Sequence, residues 1–123
     1  MNIGLTYTST TTVNQNNTAN ALGSGDMDVF ATPAMVALME NAAMNAVAPH
    51  LEAGQTTVGT EISTSHIKAS ALGATITATA VLTAVEGRKL TFEVIAHEGE
   101  NIIGEGSHTR FIVDRERFLA KLG

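Results

Sequence analysis

From Gly54 to Val113 apolar and polar residues alternate with period two, and the pattern is interrupted only at Gly73, at Glu86-Gly87 and at Glu98-Gly99. Such alternation marks strands with one buried face, and the interruptions supply turn residues. The second half of the chain therefore reads as four strands, about Thr56 to Lys68, Ala74 to Val85, Lys89 to His97 and Asn101 to Val113. The breaks between the last three are short enough to require antiparallel neighbours. A chain committed to this sheet must cover its apolar face with the residues that come before.

Those residues divide into three. Leu5 to Val13, rich in Thr, Ser and Tyr, reads as a first strand. Asn14 to Asp28 is polar and about as long as connections become before they act as covers or mobile loops. Thr32 is then a suitable helix N-cap and Pro33 a suitable first helical residue, so a helix is expected from about Pro33 to Val47, ended by Pro49. Its apolar positions, Met35, Val36, Leu38, Met39, Ala42, Ala43, Met44 and Val47, cover most of the circumference and predict burial on more than one side. A short polar helix from Asp114 closes the chain. The expected class is α+β: one long buried helix wrapped by a curved five-stranded antiparallel sheet, in a single domain spanning 1–123. The same element order also describes other α+β rolls.

Only five residues are aromatic, whereas small and β-branched residues abound. A thin domain with an open sheet edge gains from a partner, and a homodimer is expected, with helices side by side and the two sheets joined. The net charge of −5, with seven Lys and Arg, argues against nucleic acid. A compact anion could still meet Lys68, Arg88, Lys89 or Arg110 locally. Without cysteine there is no disulfide or thiol chemistry. No histidine pair falls at HxH or HxxxH spacing, so a metal site is not expected. No segment is long and apolar enough for a membrane span, and the opening residues lack a signal-peptide pattern, which makes the cytoplasm the expected location.

Candidate chemistry gathers on the helix and the strand after it. Glu40 projects from a stripe of Val36, Ala37, Ala43 and Met44. A carboxylate in apolar company is either a candidate base or nucleophile or the wet edge of the stripe. His66 shares the parity of Val58 and Ile62, the expected inward face, where an imidazole either handles a proton or is a hydrogen-bonded core residue. Thr32 is explained as a cap, although a helix N-terminus also polarises carbonyls. Gly59 breaks a β-branched strand, through a bulge or through close approach by a ligand. His50, His97 and His108 have weaker cases. His108 shares inward parity with Arg110 but has no carboxylate at motif spacing.

Together these residues resemble a known family. The stretch Phe30-Ala-Thr-Pro-Ala-Met-Val-Ala-Leu-Met-Glu40-Asn-Ala-Ala, then Thr57-Val-Gly-Thr60, His66, Gly73-Ala-Thr75, Gly87-Arg-Lys-Leu, Phe92-Glu-Val-Ile-Ala-His97 and Gly104-Glu-Gly-Ser-His108 is similar to the fluoroacetyl-CoA thioesterase-like branch of the hotdog superfamily. The resemblance implies a hotdog fold, a homodimer, an acyl-CoA substrate and thioester hydrolysis without a cofactor. It implies catalytic roles for Thr32, Glu40 and His66, and substrate contacts for Gly59, Arg110 and Phe30. It does not extend to the aromatic lid of the fluoroacetyl-specific enzyme, because Gly23 to Asp28 contains no aromatic residue. The acyl group therefore stays open. A non-catalytic acyl-CoA binding or sensing module is the alternative. Eight residues of helix separate Thr32 from Glu40 by about 12 Å, too far for direct hydrogen bonding.

Overall fold

The computed structural model describes residues 1–123. Strand β1 (Thr6–Thr12) leads through the one-turn helix α1 (Ala19–Leu22) to the long helix α2 (Thr32–Val47) and a single 3-10 turn. Strands β2 (Gln55–Thr64), β3 (Thr75–Glu86), β4 (Lys89–Glu98) and β5 (Asn101–Asp114) follow, and α3 (Arg115–Ala120) ends the chain. The strands form one antiparallel sheet in the order β1-β3-β4-β5-β2. Two-residue turns at Gly87-Arg88 and Gly99-Glu100 make the β3–β4 and β4–β5 hairpins, with glycine leading each turn.

Three bulges, between Gly59 and Glu61, Leu82 and Ala84, and Ala96 and His97, interrupt the ladders. Each bends its strand, and the sheet curls around α2. The concave face presents alternate residues: Ile76, Ala78, Ala80 and Leu82 of β3, Leu90, Phe92, Val94 and Ala96 of β4, and Ile103 of β5. Against them α2 turns Met35, Met39, Ala42, Ala43, Ala46 and Val47. Alanine on both surfaces lets helix and sheet approach closely. The larger side chains fill what remains, each contributing about 1.5–3 kcal/mol when fully buried. This is the hotdog arrangement of one helix inside a curved sheet.

Several local expectations change. The segment from Asn14 to Asp28 is built, not open: Thr18 caps α1 by accepting from the Ala21 N–H, and isolated bridges join Thr18 to Phe30 and Val29 to Ala71. Its own side chains supply what a sequence of turn formers appeared to lack. Helix α2 is not buried on more than one side within one chain, since Thr32, Pro33, Ala37, Asn41 and Met44 are exposed. Strand β2 is an edge of the sheet and ends at Thr64, short of His66. Asp114 does start the last helix, accepting from the Arg117 N–H.

Candidate active site

The three residues given catalytic roles by resemblance fall into two groups. At the start of α2, Thr32 Oγ1 lies 2.7 Å from His66 Nδ1. Thr32 is not the cap: Ala31 occupies that position, and no side chain caps the first turn. The hydroxyl is thereby free for the imidazole. His66 reaches it because the chain beyond β2 stays against β5, with Ser65 N–H on Glu105 O at 3.0 Å and Ile67 N–H on Ile103 O at 2.7 Å. Glycines at 104 and 106 permit this crossing, since a Cβ at Gly106 would strike the Ser63 carbonyl and one at Gly104 the Ser65 carbonyl.

Thr32 and His66 line a hollow of about 230 Å³ whose other walls include Ala19, Val29, Phe30 and Lys68. The loop before the helix thus flanks the pair. Phe30 is a wall of this hollow and a member of the core, 2% exposed. Burial pushes the His66 imidazole below its ordinary value, opposed by the Lys68 backbone, and its Nε2 has no hydrogen-bond partner. A neutral imidazole with Nδ1 free accepts from the Thr32 hydroxyl, and the other tautomer donates to it. The pair can therefore pass a proton in either direction.

The second group sits two turns further along α2. Of the two placements that the apolar stripe left open for Glu40, the structure shows the wet edge: its side chain is 41% exposed, and Arg110 Nη1 lies 3.7 Å from Oε2. The reason is that the stripe of Val36 and Met44 is only partly covered in one chain. Arg110, by contrast, is buried. Its Nε donates to Thr57 Oγ1 at 2.9 Å and its Nη2 to the Thr57 carbonyl at 3.0 Å. Its Nη1 donates to His108 Nε2 at 3.2 Å.

That last contact fixes a tautomer. Arginine can only donate, and the Glu61 carbonyl, 2.7 Å from His108 Nδ1, can only accept. His108 is consequently neutral with its proton on Nδ1. Burial lowers its pKa most, and the Arg110 cation lowers it further, while the Glu61 carbonyl and the Glu40 carboxylate oppose. Burial also lowers the Arg110 pKa, opposed by Glu40.

Gly59 lies across β2 at the centre of this group. A Cβ there would come 2.6 Å from Glu40 Oε2, 3.1 Å from His108 Cε1 and 3.2 Å from Arg110 Nη1. The bulge read from sequence at Gly59 is present, and what approaches the glycine backbone here is the side chains of Glu40, His108 and Arg110. His108 and Thr57 are the members that motif spacing missed. Inward parity was visible for His108, but its partners come from α2, from β2 and from a main-chain carbonyl, which no local pattern displays. No cluster of three or more His, Cys, Asp or Glu residues has the geometry to hold a metal.

Comparison with known proteins bears on the family and the fold. Residues 13–116 match the model of a family described as fluoroacetyl-CoA-specific thioesterase. The fluoroacetyl-CoA thioesterase of Streptantibioticus cattleyicolor is 47% identical over 95 residues, covering 77% of this chain and 68% of that protein. The crystal structure of the fluoroacetyl-CoA thioesterase FlK superposes with a TM-score of 0.92 at 40% identity, covering 99% of this chain and 95% of that one. A Thermus thermophilus thioesterase superfamily member superposes with a TM-score of 0.90 at 25% identity, over 98% of this chain and 90% of the other.

Proposed function

The chain belongs to the fluoroacetyl-CoA-specific thioesterase family, and from that premise we propose that it hydrolyses a short-chain acyl-CoA to the carboxylic acid and free CoA. The observation that carries the reading is the Thr32–His66 contact at an uncapped helix start, on the same helix as the Glu40–Arg110 pair. Hydrolysis needs an oxygen nucleophile or base, donors for the developing oxyanion and a proton for the leaving thiolate. Glu40 attacks the thioester carbonyl or takes a proton from the attacking water. Thr32 and the first N–H groups of α2 polarise the carbonyl, and His66 returns a proton to sulfur. Gly59, Arg110 and Phe30 hold the substrate, Arg110 as a fixed cation and Phe30 as an apolar wall.

No aromatic residue stands between Gly23 and Asp28, so discrimination between acyl groups of similar size should be weak. A panel of acetyl-, fluoroacetyl-, propionyl- and butyryl-CoA, followed by free-thiol release, tests both points. Turnover of several members is expected. A large preference for fluoroacetyl-CoA over acetyl-CoA would overturn the selectivity claim, and binding without thiol release would favour a sensing module.

The working unit is a homodimer. Strand β2 is an open edge, and the adjacent face of α2, with Val36, Glu40 and Met44, is only partly covered. Antiparallel pairing of two β2 edges buries both features and runs the β2 end of one copy, with His66 just beyond it, alongside the Gly59 stretch of the other. Sedimentation at micromolar concentration should give twice the chain mass of 12.8 kDa; a monomer would sink the idea. No helix is long and apolar enough to cross a membrane. A CoA-thioester substrate supports a cytoplasmic location, which cell fractionation tests.

A further inference from the structure

Two of the seven Lys and Arg residues, Arg110 and Lys68, stand at the two groups on helix α2. Arg110 is accounted for, since it is buried, bonded to Thr57 and His108, and 3.7 Å from Glu40. Lys68 is not. It lines the same hollow of about 230 Å³ as Thr32 and His66, and apart from His66 it is the only ionisable residue there. The only ion pair within 4 Å in the molecule is the one between Arg110 and Glu40, so the Lys68 ammonium has no carboxylate partner.

The acidic residues of the neighbouring segments turn elsewhere. Glu105, whose carbonyl holds Ser65, lines a separate hollow with Thr79, Val81 and Glu93, residues that alternate with core positions and so lie on the convex face. Asp28 accepts from Asn20 Nδ2 at 3.5 Å, and neither it nor Asp26 lines the hollow of Lys68. Apart from Ser24, Thr32, His66 and Lys68, the walls of that hollow are apolar. The lysine is held in place by its chain neighbours: Ile67 N–H donates to the Ile103 carbonyl at 2.7 Å, which ties the segment to β5. His66 stands two residues away, at most about 7 Å between α-carbons.

We infer that Lys68 reads the far end of the acyl group, and that the substrate of this chain is the CoA thioester of a short dicarboxylic acid. The inference rests on the thioesterase reading and deepens it. With the thioester carbonyl at Thr32 and His66, an acyl chain of a few carbons runs along the apolar walls and brings a terminal carboxylate to the Lys68 ammonium. A carboxylate entering such a hollow without a cation loses hydration and gains nothing in return. Lysine supplies a compact charge on a flexible stem, which follows a mobile end group. A hollow with apolar walls, one unpaired cation and no anion therefore selects an acyl group with an apolar stem and an anionic tip. Uncharged acyl groups of similar size remain poorly told apart, and charge is what Lys68 distinguishes.

The test compares succinyl-CoA with pentanoyl-CoA, which has a similar length and no terminal charge. The unaltered protein should favour succinyl-CoA in kcat/KM by about tenfold, within the range of a charge-assisted hydrogen bond. Lys68→Met should abolish that ratio, Lys68→Glu should invert it, and Lys68→Arg should keep most of it. Lys68 is exposed, so these variants should fold with an unchanged thermal midpoint. Because both substrates carry the same CoA, added salt should lower the ratio only by screening the contact at Lys68. A preference for pentanoyl-CoA in the unaltered protein, or a ratio that Lys68→Met leaves in place, would overturn the assignment. Calorimetry with the inert thioethers S-(3-carboxypropyl)-CoA and S-pentyl-CoA gives a readout independent of turnover: the carboxylate form should bind about tenfold tighter, and equally in Lys68→Met. If the unaltered protein hydrolyses neither thioester, the thioesterase reading fails, yet the calorimetry still decides whether Lys68 holds a carboxylate.

Discussion

The two groups on helix α2 are built in opposite ways. The Thr32–His66 pair depends on one hydrogen bond, between an exposed helix start and a segment past the end of a strand. The Glu40–Gly59–His108–Arg110 group is drawn from the middle of the helix and two paired strands, with Arg110 and His108 6% and 2% exposed. Its guanidinium has acceptors at Nε, Nη1 and Nη2, so its position is fixed by the sheet ladder and by buried bonds that are costly to break. One group is rigidly held and charged, a floor, and the other, at the rim, is accessible and able to exchange a proton. The proposed hydrolysis needs both, because charge stabilisation works best preorganised whereas proton delivery must reach an incoming and a leaving group.

The largest expected effect separates the floor from its surroundings. Glu40→Gln keeps side-chain volume and hydrogen-bonding reach but removes the anionic oxygen. Turnover should fall by at least about a hundredfold, the lower end of what a positioned base contributes. Stability should fall slightly, because Arg110 loses its only carboxylate neighbour. The pair is half exposed, so that loss is on the order of 1 kcal/mol and not the several kcal/mol of a fully buried pair. Thioester hydrolysis and thermal midpoint measured on one preparation decide it, and unchanged turnover would remove Glu40 from the mechanism.

The same contrast explains what could be read in the sequence. The sheet was legible because its strands alternate and its turns carry glycine at Gly87 and Gly99, and α2 was legible from Pro33 and its apolar spacing. Thr32 was misread as a cap because N-cap preference is a local statistic, whereas the hydroxyl's real partner lies 34 residues away. The depth of Glu40 stayed open because an apolar stripe does not say which of its sides is covered. For His108 the parity was right and the importance was not, since its value lies in bonds to Arg110 and to the Glu61 carbonyl across a bulged ladder. Thr, Glu and His could be named together only by family resemblance, as spacing alone put Thr32 and Glu40 about 12 Å apart on one helix.

That separation can be turned into a measurement. Thr32→Val keeps the β-branch and loses the hydroxyl; activity should drop about tenfold or more, with the thermal midpoint nearly unchanged because no capping bond is lost. Loss of about 1 kcal/mol of stability would restore the cap reading. If the rim pair of one protomer works with the floor of the other, mixing unfolded Thr32→Val and Glu40→Gln chains and refolding them should regain activity. Half of the dimers are then hybrids, each with one intact site, which gives about a quarter of the unaltered activity. Regain of nothing means that both groups act within one chain.

The smallest effect is on pH dependence, and it distinguishes the two histidines. Burial lowers the pKa of both His66 and His108 in the folded state, so the unfolded chain binds their protons more readily. By linkage, stability rises with pH wherever the unfolded state holds more protons. The contribution is therefore fully present above the ordinary value of 6.5 and is lost as pH falls from there towards the folded values. Each histidine adds at most about 1.4 kcal/mol per pH unit to that slope. For His108 the cause is specific: a proton on Nε2 would set a donor against Arg110 Nη1, with Glu40 the only anion at hand and Phe92 the ring beside it. His108→Gln should flatten the fall of thermal midpoint between pH 6.5 and 5 while leaving part of it to His66. The acid limb of kcat, in contrast, should follow His66, whose protonated Nδ1 can no longer accept from Thr32, and should lie below pH 6.5. A midpoint that rises on acidification, or an acid limb of kcat that moves with His108→Gln and not with His66→Gln, would reverse the roles given to floor and rim.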